Sequence, residues 1–131
     1  MREIVFRGKR VDNCVWETGS LVLQRMGTSE ETAYIADKMT GYHTPVIPDT
    51  VGEFTGLTDC NGNKIFEGDI VTYCCGGKKY KGKIIYWDCA FCVSYFAPIK
   101  FIGTLDDIAI DCEIIGNIHD NPELFGGDTH D

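Results

Sequence analysis

The stretch Phe54-Thr55-Gly56-Leu57-Thr58-Asp59-Cys60-Asn61-Gly62-Asn63-Lys64-Ile65-Phe66-Glu67-Gly68-Asp69-Ile70-Val71-Thr72-Tyr73 decides the fold class. Asn61-Gly62 is a strong hairpin signal, because both residue types tolerate the positive φ of tight turns. Glu67-Gly68-Asp69 reads as a second bend, in which glycine permits the change of direction and Asp69 accepts hydrogen bonds from turn amides. Ile70 through Cys75 then supplies β-branched and aromatic residues suited to a half-buried strand. Closely spaced turns and short strands predict a mostly β domain. The stretch carries no catalytic signature.

Working outward, residues 69–75 and 81–88 read as strands on either side of a lysine-rich tip. Asp88-Cys89-Ala90 turns the chain into a further strand over 91–97, so the three form a meander. Pro98 cannot donate to a ladder and ends that strand or marks an edge. Ile108, Ile110, Cys112 and Ile114 alternate with Ala109, Asp111 and Glu113, which predicts a long strand facing the core, with Gly116 allowing a kink. Asn121-Pro122-Glu123 predicts a short C-terminal helix, Asn as its N-cap and Pro in its first position, stopped by Gly126-Gly127.

On the N-terminal side, residues 2–8 alternate as a strand with Ile4 and Phe6 on its buried face and Glu3, Val5 and Arg7 on the other. Residues 15–23 return as a second strand, interrupted near Thr18-Gly19 by a bulge. Residues 28–39 have two readings. Thr28-Ser29-Glu30-Glu31 fits a helix capping box, whereas Thr32 to Asp37 alternates as a strand, and the strand is favoured because Gly41 and Pro45 follow so soon. Residues 41–50, with Pro45 and Pro48, read as an extended connection. The expected architecture is a single domain over 1–131. It has a soft subdivision into an N-terminal β hairpin region (1–50), a small SH3-like barrel (51–125, its strands over about 52–118) with the short helix, and a loose tail (126–131).

Three blocks carry a family resemblance. The first is Thr50-Val51-Gly52-Glu53-Phe54-Thr55-Gly56-Leu57-Thr58-Asp59, continued by Asn61-Gly62-Asn63-Lys64-Ile65-Phe66-Glu67-Gly68-Asp69-Ile70-Val71. The others are Arg2-Glu3-Ile4-Val5-Phe6-Arg7-Gly8-Lys9 and Ile114-Ile115-Gly116-Asn117-Ile118-His119-Asp120-Asn121-Pro122-Glu123-Leu124. In this order they resemble the YopX family of phage- and prophage-encoded proteins of unknown function. The resemblance implies a fold and a genetic origin, and no settled activity.

At 131 residues the chain is long enough to bury a core without disulfides. No apolar run is long enough to span a bilayer, and Met1-Arg2-Glu3-Ile4 does not start a signal peptide, so a cytoplasmic protein without membrane contact is expected. With 12 basic and 20 acidic residues the net charge is −8, which opposes indiscriminate binding to phosphate. Residues 76–83, Gly-Gly-Lys-Lys-Tyr-Lys-Gly-Lys, are the exception, with four lysines and no acid. Lys78, Lys79, Tyr80, Lys81 and Lys83 are therefore the candidate contacts for a polyanion or partner: ammonium groups for phosphates, a ring for a base. The plainer reading is a solvated hairpin tip whose lysines discourage edge pairing.

Seven cysteines, an odd number, in a chain expected to be cytoplasmic argue for reduced thiols rather than a disulfide framework. Cys89-Ala90-Phe91-Cys92 has metal-knuckle or redox spacing, but a structural zinc site needs a second pair. Cys74-Cys75 would point to opposite faces of a strand. His43 reads as a solvated loop residue and His119 as part of the turn before the helix; His130 falls in the tail. Asp106, Asp107 and Asp111 lack the order of a calcium loop and read as a solvated face. No catalytic residue, metal ligand or cofactor is assigned. The expected function is that of a non-enzymatic phage- or prophage-derived accessory protein that binds a protein partner or self-assembles. Nucleic-acid binding through 76–83 is the alternative, and a cysteine- or metal-dependent enzyme a weaker one. A homo-oligomer is expected because strands 81–88 and 91–97 are apolar on both faces, one of which needs cover.

Overall fold

The structure, a computed structural model, describes residues 2–25, 27, 31–75, 77–87, 89–95, 101–104 and 112–124. Its strands are β1 (Phe6–Lys9), β2 (Trp16–Arg25), β3 (Glu31–Ala36), β4 (His43–Val46), β5 (Gly52–Thr58), β6 (Lys64–Phe66), β7 (Asp69–Cys75), β8 (Lys78–Trp87), β9 (Ala90–Tyr95), β10 (Phe101–Thr104) and β11 (Glu113–Asn117). Single 3-10 turns occupy Pro48–Thr50 and Pro122–Leu124. The strand orders are β4-β3-β2-β1-β5-β6 and β10-β9-β8-β7-β11. The protein is mostly β, as expected. The segment expected to form an SH3-like barrel is divided between two open sheets: β5 and β6 belong to the first, and β7 to β11 to the second. The described part of the C-terminal helix is the 3-10 turn alone.

Two compact units are present, Met1–Phe54 and Thr55–Asp131. In the first, β2 pairs with β1 through Trp16–Gly19 and with β3 from Ser20 to Arg25. The expected bulge at Thr18-Gly19 is replaced by a continuous strand. Glycine is needed there for another reason, since a Cβ on Gly19 would stand 2.2 Å from the Ala36 carbonyl oxygen. Residues 31–36 form a strand, as favoured over the helix, and 41–50 contain β4, whose Pro45 is tolerated because β4 is an edge strand. Ala33, Ile35 and Val46 are the core, with Phe6, Leu21 and Val51 packed against them. Phe6 packs toward the core as expected, whereas Ile4 is exposed and Val5 buried, where Val5 offers its carbonyl to the Phe54 amide at the start of the β1–β5 pairing.

The core of the second unit is Ile65, Val71, Ile84, Val93 and Cys112, with Leu57, Tyr73, Tyr80, Phe91 and Ile114 around it. By register, Val71, Tyr80, Ile84 and Val93 share one face of the second sheet. The opposite face is not bare: Ile70, Ser94 and Cys92 are 0%, 2% and 3% exposed within the single chain. A second copy is therefore not needed to cover these positions. β11 pairs with β7 through a register shift between Ile114 and Gly116, the irregularity expected at that glycine. The rest of the expected long strand, 105–111, and the residues 28–30, 96–100 and 125–131 lie outside the described residues.

Candidate functional site

Asp59 opens the β5–β6 turn and is 5% exposed. Its Oδ1 accepts from the amides of Asn61 and Asn63, both at 2.9 Å, and its Oδ2 from the Ile114 amide at 3.0 Å. Gly62 takes the positive φ (83°) that the turn requires. Burial alone would raise the Asp59 pKa; the amides of Ile114, Asn63 and Asn61 outweigh it and hold the carboxyl below its ordinary range. Asp69, also buried, accepts from the Phe66 amide at 2.7 Å across the Gly68 bend, the geometric role expected of it. Gly68 (φ 93°) itself donates to Ile84 O and accepts from Ile118 N, joining β8 to the end of β11. Both aspartates of the central motif thus hold backbone in place.

Of the candidate contacts, Lys79, Lys81 and Lys83 lie opposite Cys74, Thr72 and Ile70, on one face of β8. Lys78 and Tyr80 lie on the other, and Tyr80 packs against the core. The five residues are therefore not one tip. Tyr80 packs against the core, on the face of β8 opposite Lys79, Lys81 and Lys83, so its ring does not stand beside those lysines.

The cysteines divide by environment. Cys14, Cys60, Cys74 and Cys89 are exposed, while Cys92 and Cys112 are buried; all six are free thiols. Cys89 sits in the β8–β9 turn with φ 63°, whereas Cys92 donates weakly to Ala90 O at 3.6 Å. No cluster of three His, Cys, Asp or Glu able to hold a metal occurs among the described residues. A thiol reagent is expected to label the four exposed cysteines rapidly and to reach Cys92 and Cys112 only on denaturation, with peptide mapping as the readout. Rapid native labelling of Cys92 would contradict the packing of β9.

His119 belongs to a polar turn, as expected. Asn117 Oδ1 accepts the amides of His119 (3.0 Å) and Asp120 (2.9 Å), and Asn117 Nδ2 donates to Asp120 (3.1 Å). Asn121 reaches back to the Asn117 amide at 3.3 Å, under Gly116, where a Cβ would stand 2.6 Å from Asn121 Oδ1. Asp106, Asp107, Asp111 and His130 lie outside the described residues.

One feature has no counterpart in the sequence reading. The β3–β4 turn is pinned at every step: Asp37 Oδ1 accepts from Met39 N (2.7 Å) and Thr40 N (3.1 Å). Asp37 O accepts from Gly41 N, Asp37 N donates to Tyr42 O, and the protonated Nδ1 of exposed His43 donates to Gly41 O. The Met39 and Thr40 amides hold the Asp37 pKa down. On this fixed turn Met39 and Tyr42 are 93% and 73% exposed. The signal available in sequence was Asp37 two and three residues before the amides it caps, the spacing of an Asx turn.

A two-sheet β protein built on these pinned turns matches the profile of the YopX protein family over residues 5–126. The chain belongs to the YopX family. No curated protein matches it. Among solved structures it is similar to the crystal structure of protein EF1440 from Enterococcus faecalis, at 21% identity and TM-score 0.57, covering 95% of this chain and 99% of that one. That likeness shows a shared fold. No helix among the described residues is long and apolar enough to cross a membrane.

Proposed function

We propose that this chain is a phage- or prophage-derived cytoplasmic accessory protein that acts by binding and not by catalysis, and that it associates with a second copy of itself. The observation that carries this is the Asp37–His43 turn. Six hydrogen bonds fix the turn on which Met39 and Tyr42 stand in solvent. Large apolar side chains on a rigid turn bury area at low entropic cost, and Tyr and Met are enriched in interface cores. In this reading the β7-β8-β9-β10 meander is the SH3-like part and serves as scaffold. Polyanion contact at residues 76–83 is the second reading, now confined to Lys79, Lys81 and Lys83, which share a face.

Light scattering at micromolar concentration tests the first reading. Wild type is expected above the 14.6 kDa of one chain, and the Met39→Ser, Tyr42→Ser double variant at that mass with an unchanged melting temperature. A wild-type mass of one chain at 100 µM would overturn it.

A further inference from the structure

Self-association needs more area than the Asp37–His43 turn supplies. A stable interface buries about 800 Å² per partner, and one large side chain contributes about 200 Å². Met39 and Tyr42 therefore provide about half at most. What adjoins them is the edge strand β4. Lys38 Nζ donates to Ile4 O (3.1 Å), which brings exposed Ile4 beside the turn. At the far end of β4, Arg10 bridges to Val46 and Val11 N donates to Pro45 O (3.1 Å), so exposed Val11 adjoins exposed Pro45. Six large apolar side chains are exposed among the described residues of the first unit, and four of them, Ile4, Val11, Met39 and Tyr42, lie along this one strand and its turn.

The charges give the strip a direction. Residues 39–48 contain no Asp, Glu, Lys or Arg. Exposed Lys38 precedes them and exposed Asp49 follows them. The other charges at the two ends are engaged locally: Asp37 caps the Met39 and Thr40 amides, and Arg10 pairs with Asp12 at 2.9 Å. The Lys38 bond to Ile4 uses one of three ammonium donors on a neutral carbonyl, so it does not cancel the charge.

We infer, resting on the self-association proposed above, that two copies pack β4 along β4 in opposite directions, about a twofold axis near the middle of the strand. Tyr42 to Pro48 spans about 20 Å of extended chain. Over that length an antiparallel pair sets the Lys38 of each copy against the Asp49 of the other, and the uncharged stretch between them is buried against itself. A parallel pair would set Lys38 on Lys38 and Asp49 on Asp49, which like-charge repulsion disfavours. The strip is thus self-complementary, the property a twofold interface requires.

Sedimentation equilibrium of the full chain over a concentration series tests the arrangement by charge exchange. Lys38→Glu is expected to weaken the dimer at least about tenfold, and Asp49→Lys likewise, because each reversal makes two like-charge contacts per dimer. Lys38→Glu combined with Asp49→Lys is expected to restore the dissociation constant to within about threefold of wild type, since the pairs re-form with their signs exchanged. Melts confirm that each variant is folded. Should a reversal not fold, Lys38→Gln and Asp49→Asn replace it, each expected to weaken the dimer by a smaller factor. A wild type that stays at 14.6 kDa sinks this inference together with the self-association reading. A dimer that Met39→Ser with Tyr42→Ser dissociates, but that neither charge substitution weakens, overturns the β4 arrangement alone. So does a double reversal that fails to restore association, which is the result a different partner surface would give.

Discussion

Gly19→Ala is expected to destabilise the first unit by about 3 kcal/mol, at the upper end of what overpacking costs. The added carbon would stand 2.2 Å from Ala36 O and 3.1 Å from both Ala36 C and Ile35 Cγ2. The nearest obstacle is a backbone carbonyl fixed in the β2–β3 ladder, where Ser20 pairs with Ala36, so no rotamer change relieves it. The strands must move apart by about 1 Å to restore van der Waals contact, and Ile35, the centre of the small core, moves with them. For a chain of this size that loss corresponds to a drop in melting temperature on the order of 10 °C. Gly62→Ala is the matched control. It adds the same methyl where nothing lies within 4 Å, and its cost is the φ of 83° alone, about 1 kcal/mol. Equal melting temperatures for the two variants would mean that the β2–β3 approach at Gly19 is not as close as described.

How far the sequence predicts this molecule depends on the range of the interaction concerned. The turns at Asn61-Gly62 and Glu67-Gly68-Asp69 were readable because their chemistry is local: a positive φ, and an acid within four residues of the amide it caps. Gly19 was misread as a bulge because what matters is Ala36, seventeen residues away and brought close only by strand pairing. The lysine segment was misread for a similar reason. Extending β8 back to Lys78 puts alternate residues on opposite faces, which splits Tyr80 from Lys79, Lys81 and Lys83. The apolar character of both faces of β8 and β9 was legible, but the burial of Ile70, Cys92 and Ser94 is a property of the folded chain.

Asp59→Ala is the other large effect, expected to cost about 3 kcal/mol at pH 7, because hydrogen bonds to a charged acceptor each contribute about 1.5–3 kcal/mol and do not add fully. Three amides lose their acceptor at once, and one of them, Ile114, anchors β11 to the β5–β6 turn across 55 residues of sequence. Asp59→Asn should cost roughly half as much, since one oxygen still accepts from Asn61 and Asn63 while the new amide group cannot accept from Ile114. The effect carries a pH signature with a definite sign. The folded carboxyl titrates below its unfolded value of about 3.9. Its stabilisation is therefore complete above about pH 4 and is lost as pH falls through the folded pKa. Urea melts of wild type and Asp59→Ala should accordingly differ most at neutral pH and draw together as pH falls below about 4 toward the folded pKa, below which wild-type Asp59 is protonated and keeps only neutral hydrogen bonds. A gap that did not narrow as pH fell below about 4 would show that Asp59 acts through its shape alone, and that its charge contributes nothing to holding β11 against the turn.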